Sequence, residues 1–319
     1  MRSLSIHGTA GALLSLGLLV GAGPALAVAP PAFGGLYVFG DSLSDNGNLF
    51  KLIGQPGFPY FEGRFSNGPV AAEYLATGLG LNSPTQFFNF AVGGAQTGTA
   101  NGIGVRSQVG VFTGLLGPGS ADPSALYMVW AGANDLLQAE FSTLADPVAL
   151  TGLVSTATSN LSNAVQDLFD KGARNFLLPS LPNLGATPRL QALGPLAVAA
   201  GAQVAQTFNG ALMGSYGALA GSLAGERFYY FDTYKSTNDA AAGFLAAGGN
   251  VSGTCAGAAA FPACSGYMFF DDIHPTTATH ALLGQQMLAA VPEPQTMLMM
   301  AVGVAVLLGM GRRRLRAAA

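Results

Sequence analysis

Residues 28–290 read as one three-layer α/β/α domain with a mostly parallel central sheet, and three observations carry that reading. Short apolar runs that break at glycine mark buried strands. Amphipathic helical stretches lead directly into such strands. No repeat of fixed period and no internal linker divides the segment.

The first strand is Leu36-Tyr37-Val38-Phe39, ended by Gly40, and a second apolar run covers residues 125–130 ahead of Ala131-Gly132. Neither shows the polar alternation of a half-exposed strand, so both suit a sheet covered on two faces. Leu161, Ala164, Val165, Leu168 and Phe169 then fall at i, i+3, i+4, i+7 and i+8 of one helix face. Lys171-Gly172 stops that helix, and Phe176-Leu177-Leu178 is the next strand. An Ala-rich helical stretch over about 196–223, followed by Phe228-Tyr229-Tyr230-Phe231, repeats the α-then-β unit.

The two ends have a different character. Arg2, the apolar stretch through Leu13, Leu14, Leu16, Leu18, Leu19 and Val20, and the small-x-small Ala25-Leu26-Ala27 predict a signal peptide over 1–27, cleaved after Ala27. The stretch is short and Gly-rich for a span, so a retained anchor is the lesser reading. At the other end, 291–319, Val291-Pro292-Glu293-Pro294 precedes an apolar run over 296–310 and then Arg312, Arg313, Arg314 and Arg316. One membrane-spanning length followed by a basic stop predicts a transmembrane anchor with the arginines inside.

Composition narrows the function classes. Only 9 % of the residues are charged, and 13 Lys and Arg stand against 16 Asp and Glu, which argues against electrostatic capture of nucleic acid. Between the two end segments, eight basic side chains face fifteen acidic ones, a net of −7. Export into an oxidising compartment makes Cys255 and Cys264, the only two cysteines, a candidate disulfide; two buried thiols are the alternative.

The chemistry starts where the first strand ends, in Phe39-Gly40-Asp41-Ser42-Leu43-Ser44-Asp45. A serine at the carboxyl end of a strand in an open α/β sheet faces the crevice where ligands bind, so Ser42 is a candidate nucleophile. Three further blocks follow in order. Asn89-Phe90-Ala91-Val92-Gly93-Gly94-Ala95 can present a backbone N–H, Gly132-Ala133-Asn134-Asp135 follows a strand, and Asp271-Asp272-Ile273-His274-Pro275 lies near the end. Taken singly, each also reads as a turn, a cap or a polar loop.

Together the blocks resemble the GDSL-type esterases and lipases of the SGNH hydrolase superfamily, over 37–277. Gly63-Arg64-Phe65-Ser66-Asn67-Gly68, Glu73-Tyr74-Leu75-Ala76 and Phe269-Phe270-Asp271 add to the likeness. The resemblance implies a flavodoxin-like fold, Ser42 as nucleophile, His274 as base with Asp271 as its partner, and an oxyanion hole from Ser42, Gly94 and Asn134. Met128 and Trp130 stand where smaller aliphatics are common, which bears on pocket shape. The C-terminal pattern resembles the PEP-CTERM sorting signal, which implies handover of an exported protein to an exosortase; a plain anchor is the alternative.

The residues agree with that assignment. Acyl transfer needs a hydroxyl, a base that titrates near neutrality and fixed donors facing the developing oxyanion. With His7 in the signal peptide, His274 and His280 remain. His280 sits in an apolar helical stretch without a nearby acid, as a structural residue does. Asp271 and Asp272 are distinguished by spacing: in a helical turn the residue three before His274 shares its side and the residue two before does not.

A monomeric, exported serine esterase follows, hydrolysing carboxylic esters through an acyl-enzyme with no metal or organic cofactor. Its partners are an ester substrate, lipid or acylated glycan, together with signal peptidase and an exosortase-type enzyme, and not nucleic acid. Its place is the cell envelope or beyond, with transient anchoring at the inner membrane. A carbohydrate O-deacetylase would share the whole apparatus, and an inactive surface or matrix-binding protein is a further alternative. A metal hydrolase on Asp271, Asp272 and His274 lacks further ligands.

Overall fold

The computed structural model describes residues 33–291. The signal peptide and the transmembrane anchor expected over 1–27 and 291–319 therefore lie, Val291 apart, outside the described residues. Among the described residues no helix is long and apolar enough to cross a membrane.

Strand β1 (Leu36–Gly40) leads through α1 (Asn48–Ile53) and α2 (Ala71–Gly78) to β2 (Phe87–Asn89), and α3 (Val105–Leu116) leads to β3 (Leu126–Trp130). Helices α4 (Ala133–Leu137), α5 (Phe141–Ala145) and α6 (Pro147–Asp170) precede β4 (Asn175–Pro179); α7 (Pro188–Ala192) and α8 (Pro195–Ser222) precede β5 (Arg227–Phe231). The chain closes with α9 (Thr233–Ala246), β6 (Asn250–Thr254), β7 (Tyr267–Phe269) and α10 (Thr277–Ala290).

The five main strands form one sheet in the order β2-β1-β3-β4-β5, every pair parallel. This is the flavodoxin-like winding, in which the strand order reverses between β1 and β3. A separate parallel pair, β6 and β7, carries the chain into the last helix.

Alternation along the strands builds two cores. On one face Phe39, Tyr127, Val129, Phe176 and Leu178 meet Val109 and Phe112 of α3, Leu161 and Leu168 of α6, and Phe208 and Tyr216 of α8. On the other, Leu36, Val38, Met128, Trp130 and Leu177 meet Leu75 of α2 and Leu283 and Met287 of α10. Both faces are thus covered, which is why β1, β3 and β4 are almost wholly buried and, Asn175 at the start of β4 apart, apolar. The long helix over 147–170 starts on Asp146, whose side chain accepts from the N–H groups of Val148 and Ala149, with Pro147 at its first position.

Candidate active site

Four loops, at the carboxyl ends of β1, β2, β3 and β7, meet at the point where the strand order reverses. Strand β1 is held at its end by Gln108 of α3, a lone polar residue on an apolar face. Its Oε1 accepts from the Gly40 N–H at 2.8 Å and its Nε2 donates to the Gly40 carbonyl at 2.7 Å. A Cβ at residue 40 would overlap the Trp130 carbonyl oxygen, so glycine is required there.

The turn that follows presents Ser42. The Asp41 carbonyl accepts from the N–H groups of Ser44 and Asp45, at 3.0 and 2.9 Å, and Asp41 Oδ1 accepts from the Leu43 N–H at 3.0 Å. Asp41 is buried beside the serine, and burial is the main reason its carboxyl is pushed up to about 7; the Leu43 N–H and the nearby His274 act the other way.

Asp45 joins this turn to the glycine-rich loop. Its carboxylate accepts from the N–H groups of Gly47 (2.8 Å), Asn48 (2.6 Å), Leu49 (3.1 Å) and, across the crevice, Gly93 (2.8 Å). Gly94 follows with φ +79, a left-handed conformation that favours glycine. Among the described residues the N–H groups of Ser42 and Gly94 have no acceptor. Asn134, at the start of α4, gives one Nδ2 hydrogen to the Ala95 carbonyl at 3.0 Å and keeps the other. The next residue, Asp135, is buried and accepts from the Thr97 hydroxyl (2.7 Å) and N–H (3.0 Å), so the Asn134 turn and the Gly94 loop form one unit.

His274 reaches this unit from the loop between β7 and α10. Its Nε2 lies 2.8 Å from Ser42 Oγ, and its Nδ1 lies 2.7 Å from Asp271 Oδ2. The segment is not a helical turn, the geometry the sequence reading assumed. Asp271 Oδ1 accepts from the N–H groups of Ile273 (2.9 Å) and His274 (2.6 Å), an Asx-type turn that brings the side chains of residues 271 and 274 together without helix. Asp272 faces elsewhere and pairs with Arg189 at 2.7 Å.

Burial pushes the Asp271 carboxyl up, but hydrogen bonding to His274, the imidazole charge and the two backbone N–H groups outweigh it and hold the group below its ordinary value. Tyr60 adds a fourth donor, its hydroxyl 2.8 Å from Asp271 Oδ2; burial and the Asp271 charge raise its phenol, so it stays an O–H donor. Phe65 packs on the imidazole with ring centres 4.9 Å apart. His280 is fully buried in α10, accepts from the Ala71 N–H at 3.2 Å, and is driven down to about 3 by burial and by His274.

The structure thus brings Ser42, His274 and Asp271 into contact, with Gly94 and Asn134 beside them, and sets Asp272 and His280 apart. A disulfide joins Cys255 and Cys264, whose Cα atoms are 5.5 Å apart. The loop it closes is tied to the strand before Asp271, since the N–H groups of Cys255 and Ala256 donate to the carbonyls of Phe269 and Phe270. Among the described residues, no three His, Cys, Asp or Glu side chains gather as a metal site requires.

Sequence reasoning missed Tyr60, Phe65 as a partner of the imidazole, and Gln108. A glutamine between Val105, Val109 and Phe112 on an apolar face was a readable signal. Nothing in the sequence marks Tyr60, which meets Asp271 across more than two hundred residues.

A serine, an imidazole and a carboxylate in hydrogen-bonded sequence, beside free N–H donors at the switch point of a parallel sheet, define the class of serine ester hydrolases. Residues 36–287 match the family of GDSL-like lipases and acylhydrolases, and the chain belongs to that family. Residues 290–314 match the PEP-CTERM protein-sorting motif, which marks the chain for export and envelope sorting.

Among its relatives is a phosphatidylcholine-sterol acyltransferase of Aeromonas hydrophila, 30 % identical over 313 residues, covering 80 % of this chain and 89 % of the relative. A GDSL esterase/lipase of Arabidopsis thaliana is 28 % identical over 304 residues, covering 79 % and 88 %. The crystal structure of phospholipase A1 from Streptomyces albidoflavus aligns with a TM-score of 0.47 at 17 % identity, covering 81 % of this chain and 99 % of that one.

Proposed function

We propose that the protein hydrolyses carboxylic esters through an acyl-enzyme on Ser42. The contact chain from Asp271 to His274 Nδ1 (2.7 Å) and from His274 Nε2 to Ser42 Oγ (2.8 Å) is the observation that carries the reading. Ser42 Oγ attacks the ester carbonyl carbon while its proton passes to His274 Nε2. The carbonyl oxygen becomes an oxyanion facing the Ser42 and Gly94 N–H groups and the spare Nδ2 hydrogen of Asn134. Collapse expels the alcohol, which takes the proton from His274, and a water activated by the same imidazole releases the acid. Asp271 keeps the proton on Nδ1, leaves Nε2 free toward the serine and offsets the imidazolium charge.

The sorting motif supports a life cycle in which 1–27 is removed, the C-terminal segment holds the protein at the inner membrane, and an exosortase-type enzyme processes it. Deleting residue 292 onward then yields a soluble, active enzyme; unchanged membrane fractionation would refute the anchor.

The chemistry is tested with Ser42→Ala on p-nitrophenyl esters and acetylated sugars, and by intact-mass detection of the acylated wild type. Full activity of the variant, or abolition of wild-type activity by EDTA, overturns the reading. Turnover of acetylated sugars alone moves it to an O-deacetylase.

A further inference from the structure

We infer that Trp130 forms the floor of the acyl cavity behind Ser42 and limits the acyl group to short chains, acetyl to butyryl. The inference rests on Ser42 as the nucleophile and names the substrate class of that site. Trp130 is the chain's only tryptophan and the last residue of β3, in register with Gly40, two residues before Ser42.

Its indole is 1 % exposed and belongs to the layer between the sheet and α10. It is also latched. Nε1 donates to the Ser180 carbonyl at 3.0 Å, and Ser180 is itself fixed across the ends of β4 and β5, its N–H on the Phe231 carbonyl (2.9 Å) and its hydroxyl accepting from the Thr233 N–H (3.0 Å). Rotating the ring away would strand a buried donor, so the floor does not yield to a longer chain.

The cavity is lined by Ser42, Asn134, Ile273, Leu43, Leu283 and Trp130 among others, the last two wholly buried, and its volume is about 50 Å³. An apolar cavity of about 150 Å³ takes one benzene ring, so a space about a third that size takes an acyl chain of only a few carbons.

The test is the chain-length profile of kcat/KM on p-nitrophenyl acetate, butyrate, hexanoate and octanoate, for the wild type, Trp130→Ala, Trp130→Leu and Trp130→Phe. The readout is the octanoate-to-butyrate ratio within one sample, in which the fraction of folded enzyme cancels. In the wild type the ratio is roughly one-tenth or lower, and Trp130→Ala or Trp130→Leu raises it about tenfold or more, the scale on which a cavity discriminates methylenes. Trp130→Phe, nearest in bulk, changes it least. Equal hydrolysis of octanoate and butyrate by the wild type, or an unchanged ratio in the active small-residue variants, overturns the inference. Loss of all esterase activity in Ser42→Ala beside a flat wild-type profile rejects this inference alone, whereas an active Ser42→Ala rejects the parent reading.

Discussion

Replacing Asp271 by asparagine separates two functions that one carboxylate performs. Oδ1 takes two backbone N–H groups and Oδ2 takes His274 Nδ1 and the Tyr60 hydroxyl, so an asparagine has one oxygen for two acceptor sites. Turned one way, its oxygen keeps the Ile273 and His274 N–H groups, and its amide hydrogens face Nδ1 and a Tyr60 hydroxyl that can rotate to accept. Turned the other way, it leaves two backbone donors opposed by an NH₂ group, at about 1–3 kcal/mol for each buried donor unpaired. The first orientation wins, and it forces Nδ1 to accept a hydrogen bond. The imidazole proton then sits on Nε2, facing the serine whose proton it should take.

The loss is chemical, so kcat falls by about 10² to 10⁴, the upper end being the wrong-tautomer penalty of an unrelated triad, while KM changes little. Asp272→Asn is the control. That carboxylate is about half exposed and pairs with an Arg189 that is 43 % exposed, an arrangement worth about 0–1 kcal/mol, and the change costs less than about tenfold. Steady-state kinetics on p-nitrophenyl butyrate, with thermal melts to show that both variants fold, decide the matter. If Asp272→Asn is the more damaging, or if neither substitution matters, the orienting role of Asp271 is wrong.

Asn134→Ala removes one of the proposed oxyanion donors and should lower kcat by about 10² to 10³, near 3 kcal/mol, with little change in KM; an equal loss of binding would point to a structural role. Asp41, raised by burial to about 7, binds a proton in the folded state between about pH 4 and 7 where the unfolded chain does not, so its contribution is present at the acid end and lost as pH rises through 7. His280, driven down to about 3, acts oppositely, so the measured quantity is the difference in Tm between wild type and Asp41→Asn across pH 4–8; a constant difference refutes the shift. Replacing Cys255 and Cys264 by alanine removes a loop closure worth roughly 2–3 kcal/mol, read by urea unfolding, and an unchanged midpoint would show that the bridge is idle.

Legibility in the sequence followed burial and locality. Strands β1, β3 and β4 announce themselves because a sheet covered on both faces needs apolar runs, and β5, a largely half-buried edge strand, through its aromatic run Phe228-Tyr229-Tyr230-Phe231. Strand β2 is three half-buried residues at an edge, β6 contains Gly253 and polar positions, and β7 is only three residues long, so none carries a pattern. The helices over 147–170 and 195–222 were readable from one apolar face and from length; α2 has only eight residues in which to show a face, and α3 carries one in Val105, Val109 and Phe112 that sequence reasoning missed. In the site, Ser42, Gly94, Asn134 and His274 each sit in a local block whose residue order carries the signal. Tyr60 and Phe65 act through contacts made only after the chain has folded, which a linear pattern does not encode.

Helix α10 begins three residues after His274 and ends beside Val291, where the sorting segment starts. Fourteen residues at 1.5 Å each make it about 21 Å long, and it runs as a rigid strut against α2, whose Gly78 leaves room for Leu288. Whatever grips or cuts the C-terminal segment pulls on the far end of the strut. If the C-terminal segment is held and cut as proposed, tethered and released forms turn over a small soluble ester at the same rate and differ only in which large substrates they can reach, so that processing would set the enzyme's address and leave its chemistry alone.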